Sequence, residues 1–205
     1  MEIWGLTGGI GAGKSAIGKL ISKQGVPLID VDQVSRKCRY PEGCKEAGEL
    51  VATFGPDCLD DKGFINRELV GKLIFKDVDA RNRLESIVLP VILQSLEARL
   101  ADLKADGHKV VLVEGATIIE HGWDEGLAGI IIVTAEPIQR FIRVQKRDGL
   151  EDAEVKQRMA FQNTDSQRMN GTVAPLMVRL HNNTDLDDPK LIRRIDQIVC
   201  LLRAF

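Results

Sequence analysis

A glycine-rich stretch near the start of the chain, GGIGAGKS, carries residues that can hold a phosphate group. Gly8, Gly13, Lys14 and Ser15 fit the pattern G-x-x-x-x-G-K-[ST]. Glycines let the backbone curl so that consecutive N–H groups point into a concavity at a helix N-terminus, where the helix dipole favours anions. The lysine then reaches the β- and γ-phosphates, and the serine hydroxyl can join a Mg²⁺ shell. The stretch therefore predicts a site for a nucleoside triphosphate with magnesium.

Two carboxylates follow the second predicted strand, in LIDVDQVSR. We expect Asp30 and Asp32 in a loop at the carboxyl edge of the sheet, beside the phosphate loop in a doubly wound topology. A carboxylate there can take the proton of an attacking hydroxyl or orient that hydroxyl toward the γ-phosphorus. The alternative is that an Asp only caps the following helix. Arg36, four residues beyond Asp32, favours an acceptor site.

Three arginines share one face of the helix expected after GIIIVTA. Arg140, Arg143 and Arg147 are spaced three and four apart. Arg147 lies in KRDG next to a glycine hinge, and we expect it to stabilise charge on the transferring phosphoryl group. Arg140 is expected on a solvated helix face. For Arg143, the pattern does not distinguish a solvated side chain from one that faces phosphate.

Apolar patterning places these residues on a doubly wound parallel α/β sheet of about five strands. Residues 2–6 and 26–29 are expected to be buried strands, with a helix between them. Residues 109–115 and 129–135 are β-branched apolar runs typical of strands covered on both faces. Near the C-terminus, Asp188 is expected to cap a helix whose first turn contains Pro189.

A mainly helical segment of roughly eighty residues separates the second and third predicted strands, which favours a small inserted subdomain that covers a ligand. One of its helices is expected to be interrupted at Pro90. We therefore predict a single P-loop kinase domain over residues 1–205. Its core is expected at 1–35, 108–140 and 175–205, with a substrate-binding insertion at about 36–107 and a helical lid at about 141–174.

Composition excludes several classes of protein. With 28% charged residues and a formal net charge of -2, the 205-residue chain has no general attraction for nucleic acid. No apolar run is long enough to cross a bilayer, so a cytoplasmic location is predicted. The cysteines form neither a CxxC pair nor a zinc pattern, which favours reduced thiols. We expect small-molecule partners, no nucleic acid, no membrane, and a monomer or weak homo-oligomer.

LTGGIGAGKS followed by VPLIDVDQVSR resembles the dephospho-coenzyme A kinase family, in which a phosphate loop is followed by an Asp-x-Asp element and an arginine. The resemblance covers essentially the whole chain. FGPDCLDDKGFINRELVGKLIF is similar to the family's helical substrate-binding region, and RVQKRDGLEDAEVKQRMAFQ is similar to its lid. Three places depart from the family pattern: Leu89-Pro90 replaces His-Pro, Ala16 replaces a common Thr, and EGATIIE replaces Asp-x-Pro-Leu-Leu-x-Glu.

The resemblance implies ATP-dependent phosphorylation of the ribose 3′-hydroxyl of dephospho-coenzyme A, which yields coenzyme A and ADP in the last step of coenzyme A biosynthesis. Asp32 is then the general base, acting with Lys14 and Arg147. Acceptor contacts are expected from Asp32, Arg36 and Arg143. Magnesium is expected at Ser15, with Glu114 acting through water or being only a solvated strand-end charge. ATP contacts are expected from Gly11, Ala12, Gly13, Lys14, Ser15, Ala16, Arg147 and Asn183.

Two alternatives stay open. The chain could phosphorylate a hydroxyl of another nucleotide or small molecule, since EGATIIE and Leu89 fall on the acceptor side of the family pattern. It could instead be a nucleotide-dependent switch with little transferase activity. Asp32 and Arg147 argue against the switch, because a binding module needs no general base.

Overall fold

The structure, a computed structural model, describes residues 1–74, 77–160 and 162–205. Phe75 and Lys76 fall in the predicted insertion and Phe161 in the predicted lid; these three positions lie outside the described residues. The chain divides into two compact units. The first comprises Met1–Asp30 and Leu103–Phe205, and the second comprises Val31–Asp102.

The first unit contains a five-stranded sheet built from described residues, with strand order β2-β3-β1-β4-β5. All of its pairings are parallel. The predicted doubly wound parallel α/β class is therefore confirmed. The strands are β1 Glu2–Thr7, β2 Leu28–Asp30, β3 Val110–Glu114, β4 Gly129–Thr134 and β5 Met177–His181.

Helices cover the two faces of this sheet because β1, β3 and β4 are apolar along their length. Trp4, Leu6, Leu112 and Ile131 form a core with buried residues of the first and last helices, while Ile130 and Ile132 pack on the other face with Ile118. The capping prediction for the last helix is confirmed, since Asp188 Oδ1 accepts from Lys190 N at 2.7 Å. The helices of this unit are α1 Lys14–Lys23, α6 Pro137–Asp148, α7 Asp152–Ala160, α8 Asp165–Gly171 and α9 Pro189–Arg203.

The second unit is helical, with a short 3₁₀ turn at Pro56–Cys58. Its helices are α2 Val31–Lys37, α3 Lys45–Phe54, α4 Arg67–Ile74 and α5 Val78–Ala105, the last of which ends in the first unit. Buried side chains from these helices and from Tyr40 form its interior. Among the described residues, no helix is both long and apolar enough to span a membrane.

Two local predictions are wrong. The helix expected to be interrupted at Pro90 is continuous as α5, because buried Ile87, Val88 and Ile92 extend its packed face on both sides of an exposed proline. This packing outweighs the one backbone hydrogen bond that proline removes. There is also no loop after β2: Asp30 ends the strand, and α2 begins at the next residue because Val31 and Val34 are buried.

Candidate active site

The phosphate loop connects β1 directly to α1. Gly13 is the residue before α1 and has a φ of 94°. Gly11 also has a positive φ, 76°, where its backbone lies against Arg140. A Cβ at Gly8 would overlap the carbonyl oxygen of Val133 in β4. Glycine at these positions therefore lets the loop curl tightly against the sheet, as the sequence predicts.

Lys14 and Ser15 occupy the first turn of α1. The Lys14 ammonium donates to the Gly8 carbonyl at 2.8 Å, which closes the loop on itself. The Ser15 hydroxyl donates to Oε1 of Glu114 at 2.5 Å. Glu114 is only 4% exposed, so the alternative of a solvated strand-end charge is wrong. Register places Asp30, the last residue of β2, opposite Glu114, the last residue of β3.

Arg140 is not on a solvated helix face, and that prediction is wrong. It is 8% exposed, and its Nε donates to the carbonyl oxygen of Ile10 at 2.9 Å. α6 turns this side chain inward because its guanidinium finds the Ile10 carbonyl oxygen and the Asp165 carboxylate there, which offset the cost of burial. Desolvation by burial lowers the pKa of Arg140, and the carboxylate of Asp165 opposes that shift.

Arg143 also lies against the phosphate loop. It donates to the carbonyl oxygens of Gly11 at 3.5 Å and Asn182 at 2.9 Å. These contacts put Arg143 in the first unit, whereas the other expected acceptor residues, Asp32 and Arg36, belong to the second. Its expected contact with the acceptor stays a prediction.

Arg147, the third arginine, lies in the last turn of α6, where Gly149 ends the helix with a φ of 64°. Its Nε and Nη2 donate to the carboxylate of Asp148 at 2.7 and 2.8 Å. This hydrogen-bonded carboxylate raises the pKa of Arg147, so its guanidinium is charged at any physiological pH. The side chain is 62% exposed, which leaves room for a further anion.

Two asparagines follow β5 and have different hydrogen-bond partners. Asn182 is 1% exposed, and its Nδ2 donates to the carbonyl oxygen of Ala12 at 2.8 Å. This hydrogen bond stabilises the conformation of the phosphate loop. Asn183, the residue expected to contact ATP, accepts the backbone N–H of Glu136 at 2.8 Å. Asn183 also borders a depression lined by Thr184, Asp185, Asp187, Asp188 and Pro189. Its role toward ATP stays a prediction.

The second unit carries Asp32 and Arg36 four residues apart on α2, both exposed. Arg67, the first residue of α4, donates from Nη2 to the Ser35 hydroxyl at 2.9 Å. Burial lowers the pKa of Arg67, and the charge of Arg36 adds to that shift while Asp32 opposes it. Two guanidinium groups and one carboxylate therefore share one surface of this unit.

Sequence reasoning missed Arg67 and Gln162. Arg67 lies inside the stretch similar to the family's substrate-binding region, but no spacing links it to Asp32. Gln162 accepts the backbone N–H of Ile10 at 2.6 Å from a position 152 residues away. A contact of that range leaves no periodic pattern in the sequence.

Comparison with known proteins identifies the family of this chain. The profile of the family described as CoaE, dephospho-CoA kinase, matches residues 2–188. A protein named dephospho-CoA kinase from Geobacter sulfurreducens is 36% identical over 198 residues, which cover 97% of both chains. Another of that name from Corynebacterium glutamicum is 32% identical over 186 residues, covering 91% of this chain and 93% of that one.

Solved structures share the fold of this chain. TT1252 from Thermus thermophilus superposes with a TM-score of 0.78 at 29% identity, covering 98% of this chain and 97% of that one. Dephospho-CoA kinase from Campylobacter jejuni, at 19% identity, has a TM-score of 0.69 with 100% and 99% covered, and it supports the fold alone. The resemblance predicted from the sequence is therefore confirmed, and this chain belongs to the dephospho-CoA kinase family.

Proposed function

We propose that this chain transfers the γ-phosphoryl group of ATP to the ribose 3′-hydroxyl of dephospho-coenzyme A, giving coenzyme A and ADP. The family match over residues 2–188 carries this proposal. The phosphate loop supports it, because Lys14 and the N-terminus of α1 form an anion site of the kind used by P-loop kinases.

Transfer requires few covalent steps. A bond forms between the 3′-oxygen and the γ-phosphorus, and the bond from that phosphorus to the bridging oxygen of ADP breaks. The hydroxyl proton passes to the carboxylate of Asp32, which is exposed on α2 and acts as the general base. Lys14 and Arg147 stabilise the charge spread over the phosphoryl oxygens. Catalysis is then mainly positioning and charge stabilisation.

Ser15 and Glu114 fit a Mg²⁺ ion. A hydroxyl that donates its proton to a carboxylate keeps its oxygen lone pairs for a cation, and both residues offer the hard oxygen atoms that Mg²⁺ prefers. Bound there, the ion would neutralise charge on the β- and γ-phosphates. Ser15 would be its direct ligand, while Glu114, which accepts from the Ser15 hydroxyl, would hold the ion through water.

Replacing Glu114 by glutamine tests this assignment. We expect the Mg²⁺ concentration that gives half-maximal rate to rise on the order of 10-fold, because an outer carboxylate that orients a ligand is lost. The measurement is a Mg²⁺ titration of ADP formation at saturating substrates. Glu136→Gln, at the residue that precedes α6, is the matched control and should not shift the titration. An unchanged titration in Glu114→Gln would remove Glu114 from the metal site.

Arg36 and Arg67 suit the anionic part of the acceptor. Dephospho-coenzyme A carries a diphosphate, and guanidinium groups bind phosphate oxygens through paired N–H donors. Arg67 is already oriented by Ser35, so little ordering entropy is lost when an anion binds. We infer that these arginines anchor the diphosphate in the unit that carries Asp32.

Replacing Arg67 by alanine should raise the KM for dephospho-coenzyme A about 10-fold and leave the KM for ATP unchanged. Steady-state kinetics with each substrate varied in turn measures the split. Arg39→Ala is the control, because Arg39 is exposed in the same unit, donates to the carbonyl oxygen of Lys62 and lies over the ring of Phe64. Equal effects on both KM values would argue that Arg67 has a structural role instead.

The experiment that tests the function is an acceptor assay with ATP, Mg²⁺ and dephospho-coenzyme A, with adenosine and AMP as control acceptors. Acceptor-dependent ADP and the mass of one added phosphate on dephospho-coenzyme A are expected. Transfer only to another acceptor would indicate a kinase of different specificity, and no transfer to any acceptor would favour a nucleotide-dependent switch. The cytoplasmic location, the lack of nucleic-acid partners and the oligomeric state stay predictions.

A further inference from the structure

The middle of the phosphate loop is held by side chains from two later segments of the same unit. Ile10 donates its backbone N–H to Oε1 of Gln162 at 2.6 Å and accepts at its carbonyl oxygen from Nε of Arg140 at 2.9 Å. Both backbone groups of this residue are therefore fixed from outside the loop. Because a phosphate loop binds anions through the directions of its N–H groups, these two bonds help to set the shape of the site.

Besides its hydrogen bond to Ile10, the guanidinium of Arg140 packs closely against Gly9. A Cβ built on Gly9 would overlap the guanidinium of Arg140, although the backbone of Gly9 has no positive φ that would require glycine. The absence of a side chain at Gly9 is thus explained by close approach of Arg140. The loop and this arginine fit each other sterically over the two consecutive residues Gly9 and Ile10.

A chain of charged side chains continues from Arg140, in which the arginines are buried and the carboxylates are partly exposed. Asp165 Oδ1 lies 3.9 Å from Nη1 of Arg140 and 3.8 Å from Nη1 of Arg168. Arg168 is fully buried, and its Nη2 lies 3.1 Å from Oε1 of Glu120. Two guanidiniums and two carboxylates alternate, so the cluster is neutral as a whole. A buried charge that loses its partner is strongly unfavourable, which ties the members to one arrangement.

The same cluster fixes the segment that carries Gln162. Arg168 Nη1 donates to the carbonyl oxygen of Asn163 at 2.5 Å, and Asn163 is the residue after Gln162. Asp165 begins α8, whose preceding residue Thr164 forms a capping box with Gln167. The start of α8 is therefore linked to this cluster, and Gln162 lies three residues before Asp165, the first residue of α8.

We propose that Arg140 and Gln162 are positioning residues that hold Ile10 in the conformation that binds the nucleotide phosphates, and that the Asp165–Arg168–Glu120 cluster sets their positions. Coupling then runs from the start of α8 to the phosphate loop through two hydrogen bonds. The role given to Ile10 in binding phosphates rests on the proposed function. Amide exchange at Ile10 and affinity for ADP are measured without phosphoryl transfer, so a failure of this proposal is distinguishable from a failure of the acceptor assay.

The first test is Gln162→Leu, which removes the acceptor and keeps a similar volume. Amide hydrogen exchange at Ile10, followed by NMR without nucleotide, should quicken about 3- to 10-fold, and ADP should bind more weakly by a similar factor in calorimetry. Gln145→Leu is the matched control, since the Gln145 side chain donates to Asp152 and not to the described residues of the phosphate loop. Its Ile10 exchange and ADP affinity should equal those of the original chain.

The second test is a double-mutant cycle of Gly9→Ala and Arg140→Ala, measured as thermal stability without nucleotide. Gly9→Ala alone should lower Tm because it displaces the Arg140 guanidinium, whereas the same change in Arg140→Ala should cost much less, since the overlapping group is gone. Asp165→Asn should weaken ADP binding in the same direction as Gln162→Leu, even though Asp165 does not contact Ile10.

Unchanged Ile10 exchange in Gln162→Leu would overturn the proposal, and so would unchanged ADP affinity in both Gln162→Leu and Asp165→Asn. Additive losses in the Gly9 and Arg140 cycle would also overturn it, because the steric fit would then not exist. If Arg140→Ala does not fold, the Gln162→Leu measurements still decide between these outcomes.

Discussion

Replacing Asp32 by asparagine should abolish most phosphoryl transfer while ATP binds almost as well as before. Asparagine has nearly the same shape but cannot take the proton of the acceptor hydroxyl at neutral pH. General bases contribute about 10² to 10⁴ in rate, so kcat should fall within that range. Single-turnover transfer to dephospho-coenzyme A measures the chemical step, and calorimetry with a non-hydrolysable ATP analogue measures affinity.

The location of Asp32 sharpens this experiment. It is exposed on α2 and belongs to the helical second unit, whereas the phosphate loop belongs to the first. Its loss should therefore affect transfer without disturbing the triphosphate site. Asp79→Asn, at an exposed carboxylate on α5 of the same unit, should leave kcat unchanged. Turnover in Asp32→Asn equal to that of the original chain would show that another group accepts the proton.

Local patterns predicted the elements that carry the site. The P-loop spacing, the β-branched runs of β3 and β4, and the Asp188 cap each depend on residues close together in sequence, and the structure confirms the sheet that they imply. The length of the segment between β2 and β3 also indicated a helical insertion. Interactions between residues close in sequence depend on residue type and spacing, so they can be predicted from the sequence alone.

Contacts distant in sequence were not predictable in the same way. Whether Arg140 faces water or the phosphate loop depends on Ile10, 130 residues away, and helical periodicity alone favoured water. Glu114 could have been a solvated charge, and only the pairing of β2, β3 and β1 brings it to Ser15. The interruption expected at Pro90 follows from the backbone hydrogen bond that proline removes, and burial of residues on both sides of Pro90 outweighs that loss. Tertiary packing decided each of these cases.

Replacing Lys14 by alanine should lower turnover on the order of 10³-fold and remove much of the affinity for ATP, because the proposed site then loses the positive group expected to bind the phosphates in both the ground and the transition state. Lys14 also donates to the Gly8 carbonyl, so alanine could loosen the loop as well as remove the charge. Lys14→Arg separates the two effects: it keeps the charge, but its planar head cannot replace a compact ammonium at that carbonyl.

Kinetics with ATP varied and fluorescence titration with ADP give the required measurements. If charge dominates, Lys14→Arg should recover affinity for ATP well above that of Lys14→Ala, while its kcat stays low because the transferring group is misplaced. Lys19→Ala, an exposed lysine of the same helix, is the control for a general loss of positive charge and should behave like the original chain. Normal turnover in Lys14→Ala would refute the assignment of the loop, and with it the argument that ties Ser15, Glu114 and Arg140 to the phosphates. The loop assignment is therefore the premise on which the proposed chemistry depends most.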